Sequence, residues 1–271
     1  MTSYVLVGGA WLGGWCWDRV ADRLQAGGHD VYPVTLTGLG ERSHLAGPEV
    51  DLDTYIADVV GVIESAGLRD VVLIGHSYAG VVVTGVADQI PERISLLGYL
   101  DSGPAPDGTA YVDFLPPPAR ELIDRMVEEL GGGWQIPMPS WDDLADVMGA
   151  SLNGLDDGER TKIRGRAVPQ PVRTWTQPLS LNNPAREELP KLLISCSFPL
   201  AQVREMIAAG HPWFLALTAP QWSFLELLTS HWPMFSAPER LAGLLADLPG
   251  TVDQSQPTVS ITGSATPSDG C

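Results

Sequence analysis

The chain has 271 residues, with 16 basic side chains against 33 acidic ones and a net charge of −17. That balance excludes a basic footprint for nucleic acid and a basic patch for anionic lipid. Hydrophobic residues make up 44% and charged residues 18%, which excludes disorder of the whole chain and leaves a core that needs no staples.

Cys16, Cys196 and Cys271 are odd in number and widely spaced, so they suggest neither a disulfide framework nor a zinc site. The start, Met1-Thr2-Ser3, runs into an apolar segment with no basic leader region, and no apolar run has the length of a membrane span. The expectation is a cytoplasmic protein without signal peptide or membrane anchor.

Taken in chain order, Tyr4–Val7 reads as a short apolar strand ending at Gly8-Gly9. A helix follows over Trp17–Ala26, then a strand over Val31–Leu36. Asp51–Ala66 is the clearest helix, with Leu52, Tyr55, Ile56, Val59, Val60 and Ile63 in one stripe, Asp51 as its N-cap and Gly67 as its stop. Val71–Ile74 is a strand, Tyr78–Asp88 a helix and Ile94–Leu100 a strand. Strands that are apolar almost throughout are buried on both faces, and their alternation with helices predicts a parallel sheet with helices on both sides.

The alternation breaks over residues 104–185. There Pro116-Pro117-Pro118 leads into a helix over Ala119–Leu130, then Gly131-Gly132-Gly133 and a short amphipathic stretch over Trp141–Met148. This segment reads as a helical cap insertion covering one edge of the sheet. Strands resume at Leu192–Cys196 and Phe224–Leu228, and Ser236-Ala237-Pro238-Glu239 reads as a capping box opening the last helix. The expected division is an α/β core from 1–103 and 186–248, the cap at 104–185, and a disordered tail over 249–271, where Ser, Thr, Pro, Gly and Gln dominate.

Gly75-His76-Ser77-Tyr78-Ala79-Gly80 lies between a strand and a helix. In that setting it reads as a sharp turn that lifts the Ser77 hydroxyl above the sheet and aims the first N–H groups of the helix at the same space. A serine hydroxyl needs a base. Of His29, His44, His76, His211 and His231, only His231 falls between the last strand and the final helix, where the chain order Ser…Asp/Glu…His places it. The His76 side chain is expected to point away from the elbow tip.

The orienting carboxylate has two candidate places. The loop Ile194-Ser195-Cys196-Ser197-Phe198-Pro199 holds no acid, and the next one, Glu205, falls inside a helix. Asp101, at the end of the preceding strand, reaches the same region because neighbouring strands of a sheet bring their carboxyl ends together. The alternative role of Asp101 is to cap a turn into the insertion; the catalytic role is the one expected. The glycine-rich loop after the first strand offers the Ala10 N–H as an oxyanion donor beside the Tyr78 N–H. Trp11, His44, Trp134, Trp175 and Trp232 are expected to contact substrate, with Trp15, Trp17 and Trp141 also near the mouth or cap. Nine tryptophans suggest a flat or aromatic ligand, such as a polyketide-like ring. No dinucleotide fingerprint, phosphate loop or metal-ligand cluster appears, so neither cofactor nor metal is expected.

Together these segments resemble the α/β-hydrolase superfamily, and within it the small esterases related to plant methyl esterases and hydroxynitrile lyases, with their bacterial counterparts. The resemblance rests on Leu6-Val7-Gly8-Gly9-Ala10-Trp11-Leu12-Gly13-Gly14-Trp15-Cys16-Trp17, on Leu36-Thr37-Gly38-Leu39-Gly40-Glu41-Arg42-Ser43-His44, on the Ser77 turn, and on Tyr99-Leu100-Asp101, Thr174-Trp175-Thr176-Gln177-Pro178 and His231-Trp232-Pro233-Met234-Phe235. It implies a mostly parallel sheet of about six strands with a helical cap, and ester hydrolysis through an acyl-enzyme without a cofactor. Ser77 matches the nucleophile, His231 the base, and Ala10 and Tyr78 the oxyanion donors. Two departures stand out: Gly8-Gly9 replaces the usual His-Gly, and the family's aspartate is missing from the loop 195–199.

The function expected is a serine hydrolase for a small to medium, largely apolar ester. The alternatives are a lyase or cyclase using Ser77 and His231 for proton transfer, and a ligand-binding protein on a hydrolase scaffold. A small neutral molecule is the expected partner.

Overall fold

The structure, a computed structural model, describes residues 1–210 and 212–248. The expected tail at 249–271, Cys271 and His211 lie outside the described residues. Six strands form one sheet: β1 (Ser3–Val7), β2 (Asp30–Val34), β3 (Val71–His76), β4 (Ile94–Leu100), β7 (Lys191–Ser195) and β8 (Trp222–Glu226). Their order is β2-β1-β3-β4-β7-β8 and every ladder is parallel. β5 (Gln135–Ile136) and β6 (Gln170–Pro171) pair separately and antiparallel. The fully buried β3 lies near the middle of the sheet, as its unbroken apolar run requires.

Helix α1 (Asp18–Ala26) packs on α9 (Pro238–Ala246), and α2 (Leu52–Ser65) packs on α3 (Ala79–Gln89). The sheet is thus flanked by helices. Asp51 caps α2 as expected, accepting from the Thr54 N–H at 3.0 Å while Thr54 reaches back to the Asp51 N–H. The capping box expected at Ser236 does not form. Helix α9 starts from Ala237 without a side-chain cap, because the Ser236 hydroxyl accepts from Thr229 and Ser230 at 2.8 Å and ends the short helix α8 (Pro233–Ser236). Glu239 instead meets Arg23 of α1 at 2.8 Å.

The segment between β4 and β7 carries α4 (Pro117–Glu129), β5, a π-helical turn at Asp143–Val147, α5 (Asp157–Arg166), β6 and α6 (Arg173–Thr176). It lies over the carboxyl ends of the strands rather than along one sheet edge. Its Gln170 accepts from the Trp11 N–H at 3.1 Å, its Ile136 carbonyl accepts from the Trp11 indole at 2.9 Å, and its Gln177 accepts from the Leu52 N–H at 2.9 Å. Helix α7 (Leu200–Ala208) connects β7 to β8. Among the described residues no helix is long and apolar enough to cross a membrane.

His76, the last residue of β3, is wholly buried and ties two loops together. Its Nδ1 accepts from the Gly9 N–H at 3.2 Å, and its Nε2–H donates to the His231 carbonyl at 2.6 Å. A side chain at position 9 would bring a Cβ within 2.7 Å of Nδ1, so glycine is required there. Burial, reinforced by the charge of a neighbouring protonated His231, lowers the His76 pKa from 6.5 to about 3. The unfolded chain therefore takes up a proton near pH 6.5 that the folded chain refuses. Stability is full above that pH and falls as the pH drops toward 3, at up to about 1.4 kcal/mol per pH unit. We expect the His76 ring resonances to stay fixed between about pH 7.5 and pH 5 in an NMR titration; a midpoint near pH 6.5 contradicts the neutral tie.

Candidate active site

The site begins where β3 gives way to α3. Ser77 has φ 52°, a left-handed backbone that a non-glycine residue adopts only when its surroundings impose it. Its N–H donates to the Leu100 carbonyl at 3.1 Å, continuing the β3–β4 ladder one step past the strand. Its carbonyl accepts from Gly80 N–H at 2.9 Å and from the Ser102 hydroxyl at 2.5 Å. Gly75 leaves room for the chain to fold back, since a Cβ there would lie 2.7 Å from the Ala79 carbonyl oxygen and from Val83.

At the elbow tip the Ser77 Oγ lies 2.7 Å from His231 Nε2, and His231 Nδ1 lies 2.6 Å from Asp101 Oδ2. His231 is carried on the loop after β8. Its N–H donates to the Ser151 carbonyl at 2.7 Å, and the Trp232 ring stands edge-on to its imidazole at 5.0 Å. Asp101 follows β4, whose neighbour is β7, so its carboxylate crosses the end of β7. There Oδ1 accepts from the N–H groups of Cys196 and Ser197 at 2.9 Å, and Oδ2 accepts from the Ser197 hydroxyl at 2.5 Å. Burial pushes the Asp101 pKa up, but the bonds from His231 and Ser197 and the nearby His231 charge outweigh it and hold the pKa down, at about 2. Glu205 lies exposed on α7. A hydroxyl, an imidazole and a carboxylate in this chain can pass the serine proton to the ring while the carboxylate steadies the charge that forms.

Ala10 and Tyr78 stand beside Ser77 on the loop after β1 and at the start of α3. The N–H groups flanking Ala10 are engaged, Gly9 with His76 and Trp11 with Gln170. Among the described residues no protein acceptor pairs with the Ala10 or Tyr78 N–H. Trp11 makes the turn with φ 66°.

Above the elbow opens a cavity of about 590 Å³ whose walls include Trp11, Trp175, Trp232, Phe114 and Met148. Ser77, His231 and Ala10 lie at its floor. Two expected contact residues are elsewhere. Trp134 is drawn into the tight turn that ends α4, where the Gly133 N–H bonds back to the Val127 carbonyl, and it does not line the cavity. His44 is exposed on the turn Gly40–Leu45, because Arg42 is the side chain of that turn that folds inward, pairing with Asp58 at 2.9 Å. Trp15 and Trp17 are buried outside the lining, and Trp141 stands edge-on to Trp232 at 5.3 Å. Among the described residues no three His, Cys, Asp or Glu side chains gather as a metal site requires.

Ser197, Ser102 and Tyr111 belong to the site without having been expected there. Ser197 carries a weak signal: a serine in the loop at the acid's usual place can donate to a carboxylate arriving from the neighbouring strand, as its N–H and hydroxyl do to Asp101, whereas Ser102 carries none. Tyr111 lies in irregular chain, where spacing carries no information about direction.

Residues 4–244 match the alpha/beta hydrolase family. The chain is 40% identical over 181 residues to a carbendazim hydrolyzing esterase of Nocardioides sp. (strain SG-4G), covering 67% of this chain and 74% of that protein. It is 29% identical over 267 residues to a pyrethroid hydrolase of Sphingobium wenxiniae, covering 91% of this chain and 87% of that one. Among solved structures, an extracellular alpha/beta-hydrolase from a Paenibacillus species shares the fold at 22% identity with a TM-score of 0.73, over 90% of this chain and 98% of that chain. The chain belongs to the alpha/beta hydrolase family and stands among its carboxylic ester hydrolases.

Proposed function

We propose that the protein cleaves small to medium, uncharged, largely apolar esters with an aromatic or polyketide-like body, through an acyl-enzyme on Ser77. The observation that carries this reading is the unbroken chain Asp101–His231–Ser77 opening into an apolar cavity of about 590 Å³. Ser77 Oγ attacks the ester carbonyl carbon while its proton passes to His231 Nε2. Asp101 holds the Nδ1–H and stabilises the imidazolium. The N–H groups of Ala10 and Tyr78 receive the carbonyl oxygen as it becomes an oxyanion. His231 then protonates the departing alkoxy oxygen, the alcohol leaves, and a water deprotonated by His231 releases the acid. In this reading residues 1–103 and 186–248 form the core, and 104–185 are a cap that sets the cavity's shape through Trp175 and Phe114.

A neutral substrate is favoured on electrostatic grounds. Among the described residues the cavity wall offers no lysine or arginine to pair with an anion, and the net charge of −17 repels one at distance.

With p-nitrophenyl butyrate we expect a burst of nitrophenol equal to the enzyme present, followed by slower turnover. Ser77→Ala is expected to lower kcat/KM by about 10⁴-fold or more, and Asp101→Asn by about 10²- to 10⁴-fold. Glu205→Gln is expected to stay within about twofold, since removing an exposed carboxylate away from the reacting atoms costs little. Equal, small effects of the two carboxylate variants would remove Asp101 from its role, and an active Ser77→Ala enzyme contradicts the acyl-enzyme. A second comparison sets a neutral ester beside one of the same length ending in a carboxylate. The neutral ester is expected to react at least about tenfold faster, with a gap that narrows as salt screens the repulsion.

A further inference from the structure

Tyr111 opens the 3₁₀ turn Tyr111–Phe114 in the segment between β4 and β7. Its ring stands edge-on to Trp175 at 4.7 Å and to Tyr78 at 5.0 Å, and Trp175 in turn lies 5.6 Å from Trp11. This aromatic group sits on the side of Ser77 that carries Ala10-Trp11 and Tyr78. His231 is flanked by a different ring, Trp232, which Trp141 meets in turn. The Tyr111 ring lines the cavity, and its hydroxyl faces the Ser77 side chain.

Among the described residues that hydroxyl makes no hydrogen bond of ordinary geometry, and Ser77 is the polar side chain beside it. A phenol in a largely apolar wall needs a partner, and the polar side chain beside this one carries the reacting atom. Ser77 spends its own hydrogen on His231 Nε2 at 2.7 Å, so in any approach of the two hydroxyls the phenol is the donor. Once Ser77 Oγ becomes bonded to the substrate carbon, it is a poor acceptor. The negative charge then lies on the carbonyl oxygen attached to that same carbon, within reach of a small swing of the phenol.

We propose that Tyr111 is a further catalytic residue, whose hydroxyl joins the N–H groups of Ala10 and Tyr78 as a third donor to the oxyanion. This rests on the acyl-enzyme reading above. Tyr111 gives up no proton. The Ser77 proton goes to His231 and leaves with the alcohol, while the phenol lends and withdraws a hydrogen bond as the tetrahedral adduct forms and collapses. Burial pushes the Tyr111 pKa up to about 12, with the neighbouring Ser77 side chain offsetting part of the rise, so the group remains a donor across the neutral range.

Tyr111→Phe removes the hydroxyl and keeps the ring against Trp175 and Tyr78, so its thermal midpoint should stay within a few degrees of wild type. Two measurements test the role: acylation of each enzyme by p-nitrophenyl butyrate, and inhibition by an aryl trifluoromethyl ketone, which adds to Ser77 and places an oxyanion where the reaction does. The variant is expected to acylate about 10- to 10³-fold more slowly, with KM within about threefold and the ketone bound more weakly by a factor matching the rate. An unchanged acylation rate overturns the proposal, as does a loss confined to KM with the ketone unaffected. A wild-type enzyme that shows no burst, together with an active Ser77→Ala enzyme, overturns the acyl-enzyme reading itself; a normal burst in both wild type and Tyr111→Phe removes only the third donor.

Discussion

A serine held in a left-handed backbone at the carboxyl end of β3 is the constraint around which the rest is arranged. Such a conformation costs of order 1–3 kcal/mol and persists only when neighbours over-determine it. Here they do so from several sides. Leu100 extends the ladder to the Ser77 N–H, Ser102 and Gly80 hold its carbonyl, and Gly75 leaves the space that the returning chain occupies. Leu100 and Gly75 belong to the sheet, Gly80 to a helix buried along nearly its whole length, and Ser102 to the chain just past β4, so the strain rests on closely packed neighbours. The Ser77 hydroxyl is thereby held at one place on the cavity wall, 2.7 Å from His231, before any ligand arrives.

Two of the ionisable groups around the elbow are each held in one charge state. His76 is kept neutral by burial, and its two ring nitrogens are both committed to backbone groups. Asp101 is kept ionised by donors from the loop after β7. Between a histidine held neutral and a carboxylate held ionised, the His231 ring bridges Asp101 and Ser77. The carbonyl of His231 is itself held by His76, so the buried histidine also anchors the loop that carries His231.

How much of this was legible in the sequence follows from where the information resides. The six strands, the elbow and the order Ser77, Asp101, His231 are written in local apolar runs, small residues and chain order, and these survive folding because parallel strands buried on both faces tolerate few alternatives. Asp101 over Glu205 was readable from adjacency: β4 and β7 are neighbours, with Leu100 paired to Ile194, so the two loops after them must meet. Side-chain direction in irregular chain was not readable. Trp134 and His44 sit in segments that pass near the site, yet a glycine turn and an inward arginine aim them elsewhere. Ser236 had the spacing of a cap, and lost that role to Thr229 and Ser230, partners from the loop just before His231 that local pattern does not reveal.

Trp11 is bound to the segment over the strands by both its backbone N–H and its indole, through Gln170 and Ile136. It is also the immediate neighbour of Ala10. The ceiling of the cavity and the loop that carries Ala10 therefore share one residue. A reshaping of the ceiling that moves β5 or β6 acts directly on the backbone next to Ala10. Among the described residues, the wall formed by Val203 and Met206 on α7 has no such tether to Ala10, and is the side on which the dimensions of the cavity can vary while the Ala10 loop stays in place.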